Sequence, residues 1–249
     1  MKPEEHLAKR VLNAINSKYE TLTQSGEVAL NRWWWQLGTA RLYTAGLNLN
    51  LNLKVVTIDM AIPALGLNSF MLYAFTGPGS ATPHFAVDSV ARADTYAIHC
   101  DLVPRVDSLH QDFPGYLEEV FAPIKRLKDA CLAIPGVKSY GLSQGANRLL
   151  SPQQLCIQAK DAAVFERACP MVYQYLDRWL DLVDNNSPAN SFGADYLMTY
   201  DRTFRTQMFS PKVDPIWIVV PLLLGRKTGR ILRTMLQTGD MPAVQDLQN

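Results

Sequence analysis

The sequence predicts an α+β fold, a central antiparallel β-sheet covered by helices, from three observations. Between Leu47 and Val103, apolar residues recur with period two in consecutive segments. The links between these segments are short, which implies antiparallel pairing. From Asp161 onward the apolar period becomes helical. At 48% hydrophobic and 19% charged, the 249-residue chain can bury a sizeable core and is not disordered. Its length suits a single domain over residues 1–249.

Residues 1–45 read as a helical segment packed on that domain. Leu7, Val11, Ala14 and Ile15 fall at helical spacing, and Trp33-Trp34-Trp35 forms a large apolar block suited to packing the segment on the body. Leu47, Leu49, Leu51 and Leu53 alternate with Asn48, Asn50, Asn52 and Lys54, which predicts a strand with one buried face, running on to Met60. Pro63 and Gly66 close it. Residues 69–76 form a second strand, ended by Gly77-Pro78-Gly79. Residues 84–91 and 95–103 are the third and fourth, and the short link through Arg92, Ala93 and Asp94 makes them a hairpin. Tyr116, Val120, Ile124 and Leu127 mark one helix face, with Pro123 as kink or boundary. Residues 139–159 are strand-like, with a turn around Ser151-Pro152. Phe165, Val172, Leu176, Trp179 and Val183 carry a long helix that contains Pro170. Ser191 is placed to cap the next helix, over residues 196–208. Pro211, Pro215 and Pro221 make the following stretch irregular, and residues 228–237 form a last short helix.

Several function classes are disfavoured. A net charge of +1 gives no overall footprint for nucleic acid. Cys100, Cys131, Cys156 and Cys169 form no CxxC, and no histidine falls at zinc-ligand spacing, so no metal centre is expected. Scattered thiols suit a reducing, cytosolic-type compartment. The charged, amphipathic N-terminus is neither a signal nor a transit peptide. The longest apolar run, residues 216–224, is broken by Pro221 and too short to span a bilayer.

Gly141-Leu142-Ser143-Gln144-Gly145 matches the G-x-S-x-G pattern of hydrolases. All four histidines precede Ser143, so the Ser, acid, His order of that fold cannot be met, and a glycine-containing turn accounts for the run better. Gly77-Pro78-Gly79 lacks the third glycine of a dinucleotide fingerprint and is a turn. Arg226, Lys227, Arg230 and Arg233, with Arg202, Arg205 and Lys212 upstream, are either a solvated face or a patch for an acidic partner or carboxylate. Three carboxylates sit in apolar segments: Asp59, Asp88 on the strand face with His84 and Ala86, and Asp201. Burial raises a carboxylate pKa. A group that stays protonated near neutral pH is what a proton donor for a reduction requires.

Pro83-His84-Phe85-Ala86-Val87-Asp88 is followed by His99-Cys100-Asp101-Leu102-Val103-Pro104-Arg105-Val106-Asp107, then by Ser151-Pro152 and residues 196–205. In this order the sequence resembles the ferredoxin-dependent bilin reductase superfamily, and within it the red chlorophyll catabolite reductase branch, from about residue 48 to 233. The resemblance implies an α/β/α sandwich, with helices on both faces of the sheet. An open-chain tetrapyrrole, red chlorophyll catabolite or a bilin such as biliverdin, would lie between the sheet and the C-terminal helices. Reduced ferredoxin would supply single electrons through radical intermediates, with no bound cofactor and no metal. Asp88 falls on the central-strand acid, where the plant chlorophyll-catabolite enzymes have Glu, and Asp201 on the C-terminal-helix Asp. Both are implied as catalytic proton donors on opposite sides of the pigment. Asp59 lies near an acidic position used by the phycocyanobilin enzyme, and Tyr73 stands where that enzyme has a catalytic His, which disfavours its type of reduction. Asp59, Tyr73, His84, Arg105, Arg202 and Arg205 are the expected substrate-binding residues, and Arg226, Lys227 and Arg230 the expected ferredoxin dock. The resemblance leaves a homodimer open. It places the chain in a bacterial, cyanobacterial-type cytoplasm or, in a eukaryote, the plastid stroma. The rival reading is a non-catalytic protein that binds or scavenges linear tetrapyrroles.

Overall fold

The computed structural model describes residues 2–19, 22–32, 35–47, 51–93, 95–185 and 192–242. One eight-stranded sheet organises them: β1 (Thr23–Arg32), β2 (Trp35–Leu47), β3 (Leu51–Ile62), β4 (Leu67–Phe75), β5 (His84–Arg92), β6 (Thr95–Val103), β7 (Val137–Ser139) and β8 (Leu155–Ala159). The order across the sheet is β1-β2-β3-β4-β5-β6-β8-β7, and every neighbouring pair is antiparallel. The helices are α1 (Pro3–Lys18), α2 (Phe113–Val120), α3 (Lys125–Leu132), α4 (Gln144–Leu149), α5 (Ala162–Asp184), α6 (Ala194–Met208), α7 (Ile216–Leu224) and α8 (Arg226–Thr238).

Strand periodicity divides the core in two, because alternate side chains point to opposite faces. Leu53, Val55, Leu72, Phe85, Val87, Ile98 and Cys100 face one layer, made by α1, α2, α3 and α5. Val56, Tyr73, Phe75, Ala86 and Val103 face the other, with Phe204, Met208, Trp217, Leu232 and Leu236 from α6, α7 and α8. The molecule is thus an α+β sandwich with helices on both faces of the sheet. In the first layer α5 is capped by Asp161, whose carboxylate accepts the Val164 N–H at 2.8 Å. Trp179 is fully buried there and donates its indole N–H to the Pro83 carbonyl at 2.9 Å.

Five sequence expectations are corrected. Among the described residues of 1–45, only α1 is helical, and residues 23–32 and 35–45 belong to the paired strands β1 and β2. Their alternation is blurred by register shifts at Gln24/Gly26 and Leu30/Asn31, and by one face that stays polar. Trp35 is exposed rather than packed on the body, while Trp33 and Trp34 lie outside the described residues. The leucine-asparagine alternation is two strands, not one, since Leu47 pairs with Leu51 across a reversal. Period two persists through such a turn, so alternation alone could not show it. Residues 139–159 contain the short helix α4 between β7 and β8. Residues 216–224 form the helix α7 despite Pro221. Ser191 lies outside the described residues, and Gly193 stands at the N-cap of α6.

Candidate functional site

The second face of the sheet and the C-terminal helices enclose a cleft of about 100 Å³. β4 contributes Met71 and Tyr73, β5 Asp88, and β6 His99. Met208, Phe209, Asp214, Ile216 and Trp217 close it from the helical side. Asp88 and His99 meet because they are direct cross-strand partners in the β5–β6 hairpin, so their side chains leave the same face side by side. The Asp88 carboxylate accepts from His99 Nδ1 at 3.1 Å. The other ring nitrogen, Nε2, is buried and has no hydrogen-bond partner among the described residues. Burial opposes charge on His99, but the Asp88 hydrogen bond and charge, with Asp101 and Asp214 behind them, outweigh it and raise its pKa above the ordinary value. The charged form of His99 is thereby favoured, and its Nε2 is left without a partner among the described residues.

Asp201 has a different setting, at the other end of the same β5 face. Its carboxylate accepts from His84 Nε2 at 2.7 Å, with Arg105 Nε at 3.5 Å and an Arg205 guanidinium nitrogen at 3.7 Å. The Thr76 backbone N–H donates to His84 Nδ1 at 3.1 Å, so the proton of a neutral His84 must sit on Nε2, facing Asp201. Burial lowers the His84 pKa to about 4, against the pull of Asp201. Burial alone would raise the Asp201 pKa, yet His84, Arg105 and Arg205 outweigh it and hold it well below the ordinary carboxylate range. Burial was expected to keep at least one of Asp88 and Asp201 protonated; at Asp201 it does not prevail, because two guanidinium groups are buried with it. His84 and Asp88 stand four residues apart on β5, roughly 13 Å at the usual strand rise.

The other predicted residues are scattered. Tyr73 lines the cleft, stacked on Phe75 and edge-on to Phe209, with burial raising its pKa. Arg105 is buried and committed to the turn after β4, donating to the carbonyls of Thr76, Gly77 and Pro78 at 3.1, 2.9 and 2.8 Å. Arg205 lies over the Phe75 ring and donates to the Leu236 carbonyl. Asp59 is on the opposite face of the sheet, in a groove of about 680 Å³ between α1 and β2–β4, with its pKa raised by burial. This groove is larger than the cleft, but it holds neither Asp88 nor Asp201. Arg202, Arg226, Lys227 and Arg230 are exposed on α6 and α8.

Two groups of the cleft, His99 and Asp214, escaped the sequence reading. His99 could have been found from the strand register, since a β5–β6 hairpin sets it against Asp88. Asp214 comes from the loop before α7, where no period marks it. Burial raises its pKa, and its Oδ1 accepts the Ile216 N–H at 3.1 Å. Ser143 also lines the cleft, but its hydroxyl donates to the Val213 carbonyl at 2.6 Å and accepts the Ala146 N–H at 3.1 Å. It caps α4 and is not bonded to His99. No three His, Cys, Asp or Glu side chains among the described residues are grouped to hold a metal ion.

No protein-family model and no curated protein sequence matches the chain. Among solved structures, phytochromobilin synthase from tomato, in complex with biliverdin, superposes with a TM-score of 0.72 at 18% identity, covering 98% of this chain and 85% of that one. The chain thus has a fold similar to that of the tomato phytochromobilin synthase.

Proposed function

We propose that this chain is a ferredoxin-dependent reductase of an open-chain tetrapyrrole, biliverdin or red chlorophyll catabolite. One observation carries the reading: His99, held by Asp88 and with an unpartnered Nε2, lines the cleft between sheet and C-terminal helices. The similar fold of a synthase complexed with biliverdin supports it.

Reducing one double bond takes two electrons and two protons. Ferredoxin supplies the electrons one at a time, through a radical. His99 donates a proton from Nε2, which the Asp88 carboxylate makes possible by stabilising the imidazolium beforehand. Asp88 is the more open of the two, with 24% of its side chain exposed against 5% for His99, and links the pair to solvent for reprotonation. Asp201 is a carboxylate in this arrangement and serves as a positioning residue that fixes His84, Arg105 and Arg205. The cleft is smaller than the ~300–1,000 Å³ of ordinary ligand pockets, so a whole tetrapyrrole enters only when the segment from Asp214 to Trp217 moves outward.

The deciding experiment is an anaerobic assay with ferredoxin, its reductase and NADPH, run on biliverdin and on red chlorophyll catabolite with product identification. Consumption of one pigment spectrum by the wild type, and its loss in His99→Gln, is expected. A static bound spectrum would make the chain a carrier. Ser143 labelling by a fluorophosphonate would favour a hydrolase instead.

A further inference from the structure

We infer that the α7–α8 surface, with Trp35 at the start of β2, is a docking site for an anionic lipid bilayer. Eight large apolar side chains are exposed among the described residues, and five of them are Trp35, Ile216, Ile218, Val219 and Leu222. Leu222 is 68%, Trp35 60% and Ile218 58% exposed. On α7 the buried Trp217 and Leu224 face the core, while Ile218, Val219 and Leu222 follow one another on the outer side.

These residues form one surface with the exposed cations. α7 packs on both α8 and β1. Gly225, between the two helices, has a side-chain nitrogen of Arg32 within 4.0 Å of where a Cβ would stand. Arg32, the last residue of β1, pairs with Trp35, the first of β2. Arg226, Lys227 and Arg230 are exposed on the first half of α8.

That placement is electrostatically unfavourable for the chain alone. Cations at a helix N-terminus oppose the helix dipole, and Arg226 and Arg230 are a like-charge pair one turn apart. No acidic residue stands in the first turn of α8. A surface of negative charge would relieve both. Aliphatic and tryptophan side chains beside those cations select a lipid surface over a soluble acidic protein, since they would enter the headgroup boundary while the cations meet phosphate. No helix among the described residues is long and apolar enough to cross a membrane, so the contact is peripheral. Flotation needs no pigment, so its outcome is read separately from what the cleft binds.

The test is co-flotation of the full chain with vesicles of phosphatidylcholine alone and of phosphatidylcholine with an equal part of phosphatidylglycerol. The wild type should float with the anionic vesicles and much less with the neutral ones. Ile218→Glu/Leu222→Glu should lower partitioning on the order of tenfold or more. Each charge reversal at Arg226 or Lys227 should lower it roughly fivefold or more. Trp35→Ser, on a separate element, serves if the α7 variant misfolds by circular dichroism. Three outcomes would overturn the inference: no flotation with anionic vesicles, equal flotation with neutral ones, or binding that only salt and charge reversal reduce. Sedimentation showing that the apolar face is instead covered by a second copy would overturn it too.

Discussion

At the scale of single residues, their partners separate two aspartates that look alike in sequence. Asp88 shares its strand face with His84 and pairs with His99, whereas Asp201 is held among His84, Arg105 and Arg205. Asp88→Asn removes the partner that favours the charged form of His99. Turnover in the anaerobic assay should fall by roughly 10²–10⁴, with the ligand absorbance shift retained. Residual activity should lose its alkaline side at a lower pH, because the His99 pKa drops. Undiminished activity in Asp88→Asn would remove this pair from the chemistry. His84 makes a stability prediction of definite sign. Its pKa falls from 6.5 to about 4 on folding, so between these values the unfolded chain binds the extra proton and acidification destabilises the fold. The effect is on the order of 3 kcal/mol across that window. Urea titrations at several pH values should show it, and His84→Gln, which still offers an N–H to Asp201, should flatten the slope.

At the scale of elements, the sheet was legible wherever alternation was regular and turns were short. Strands β4, β5 and β6 and the long helix α5 were read within a few residues. The β1–β2 pair was not, because its bulges break the period and its outer side chains are polar or small. Local spacing cannot report a bulge, which is set by the partner strand. Gly38 illustrates the constraint. A Cβ there would stand 1.9 Å from the Asp59 carbonyl oxygen on the neighbouring strand. Gly38→Ala should therefore cost about 2 kcal/mol or more, read as a lower urea midpoint, and should part β2 from β3. A neutral effect would mean that the two strands do not approach as described. Prolines misled in the opposite direction. Pro221 sits inside α7 and its ring lies against Gly229 of α8, so helix–helix packing holds a segment that propensity marks as irregular.

For the molecule as a whole, the two layers on the sheet divide their work. The α1, α2, α3 and α5 side holds most of the hydrophobic core, while the α6, α7 and α8 side holds the candidate cleft beside a smaller one. If biliverdin enters that cleft, it stabilises the folded state by mass action. At a free concentration of 100 Kd the gain is ~2.7 kcal/mol. For a chain of this size that corresponds to roughly 5–10 °C in Tm. A thermal shift that grows with biliverdin and is blunted by Tyr73→Ala checks it. An unmoved Tm would exclude the cleft as a bilin site.

By itself the sequence determined the α+β class, the antiparallel centre of the sheet and the face on which Asp88 and His84 stand, because these follow from periodicity and chain reversal over a few residues. It also marked Asp88 as an acid out of place. Only the tertiary structure decided the partners. His99 joined Asp88 through strand register, Asp214 reached the cleft on a loop, and Asp59 fell on the far side of the sheet. The charge on Asp201 was decided there too: burial and nearby guanidinium groups push a carboxylate pKa in opposite directions, and which prevails depends on distances that spacing along the chain does not contain.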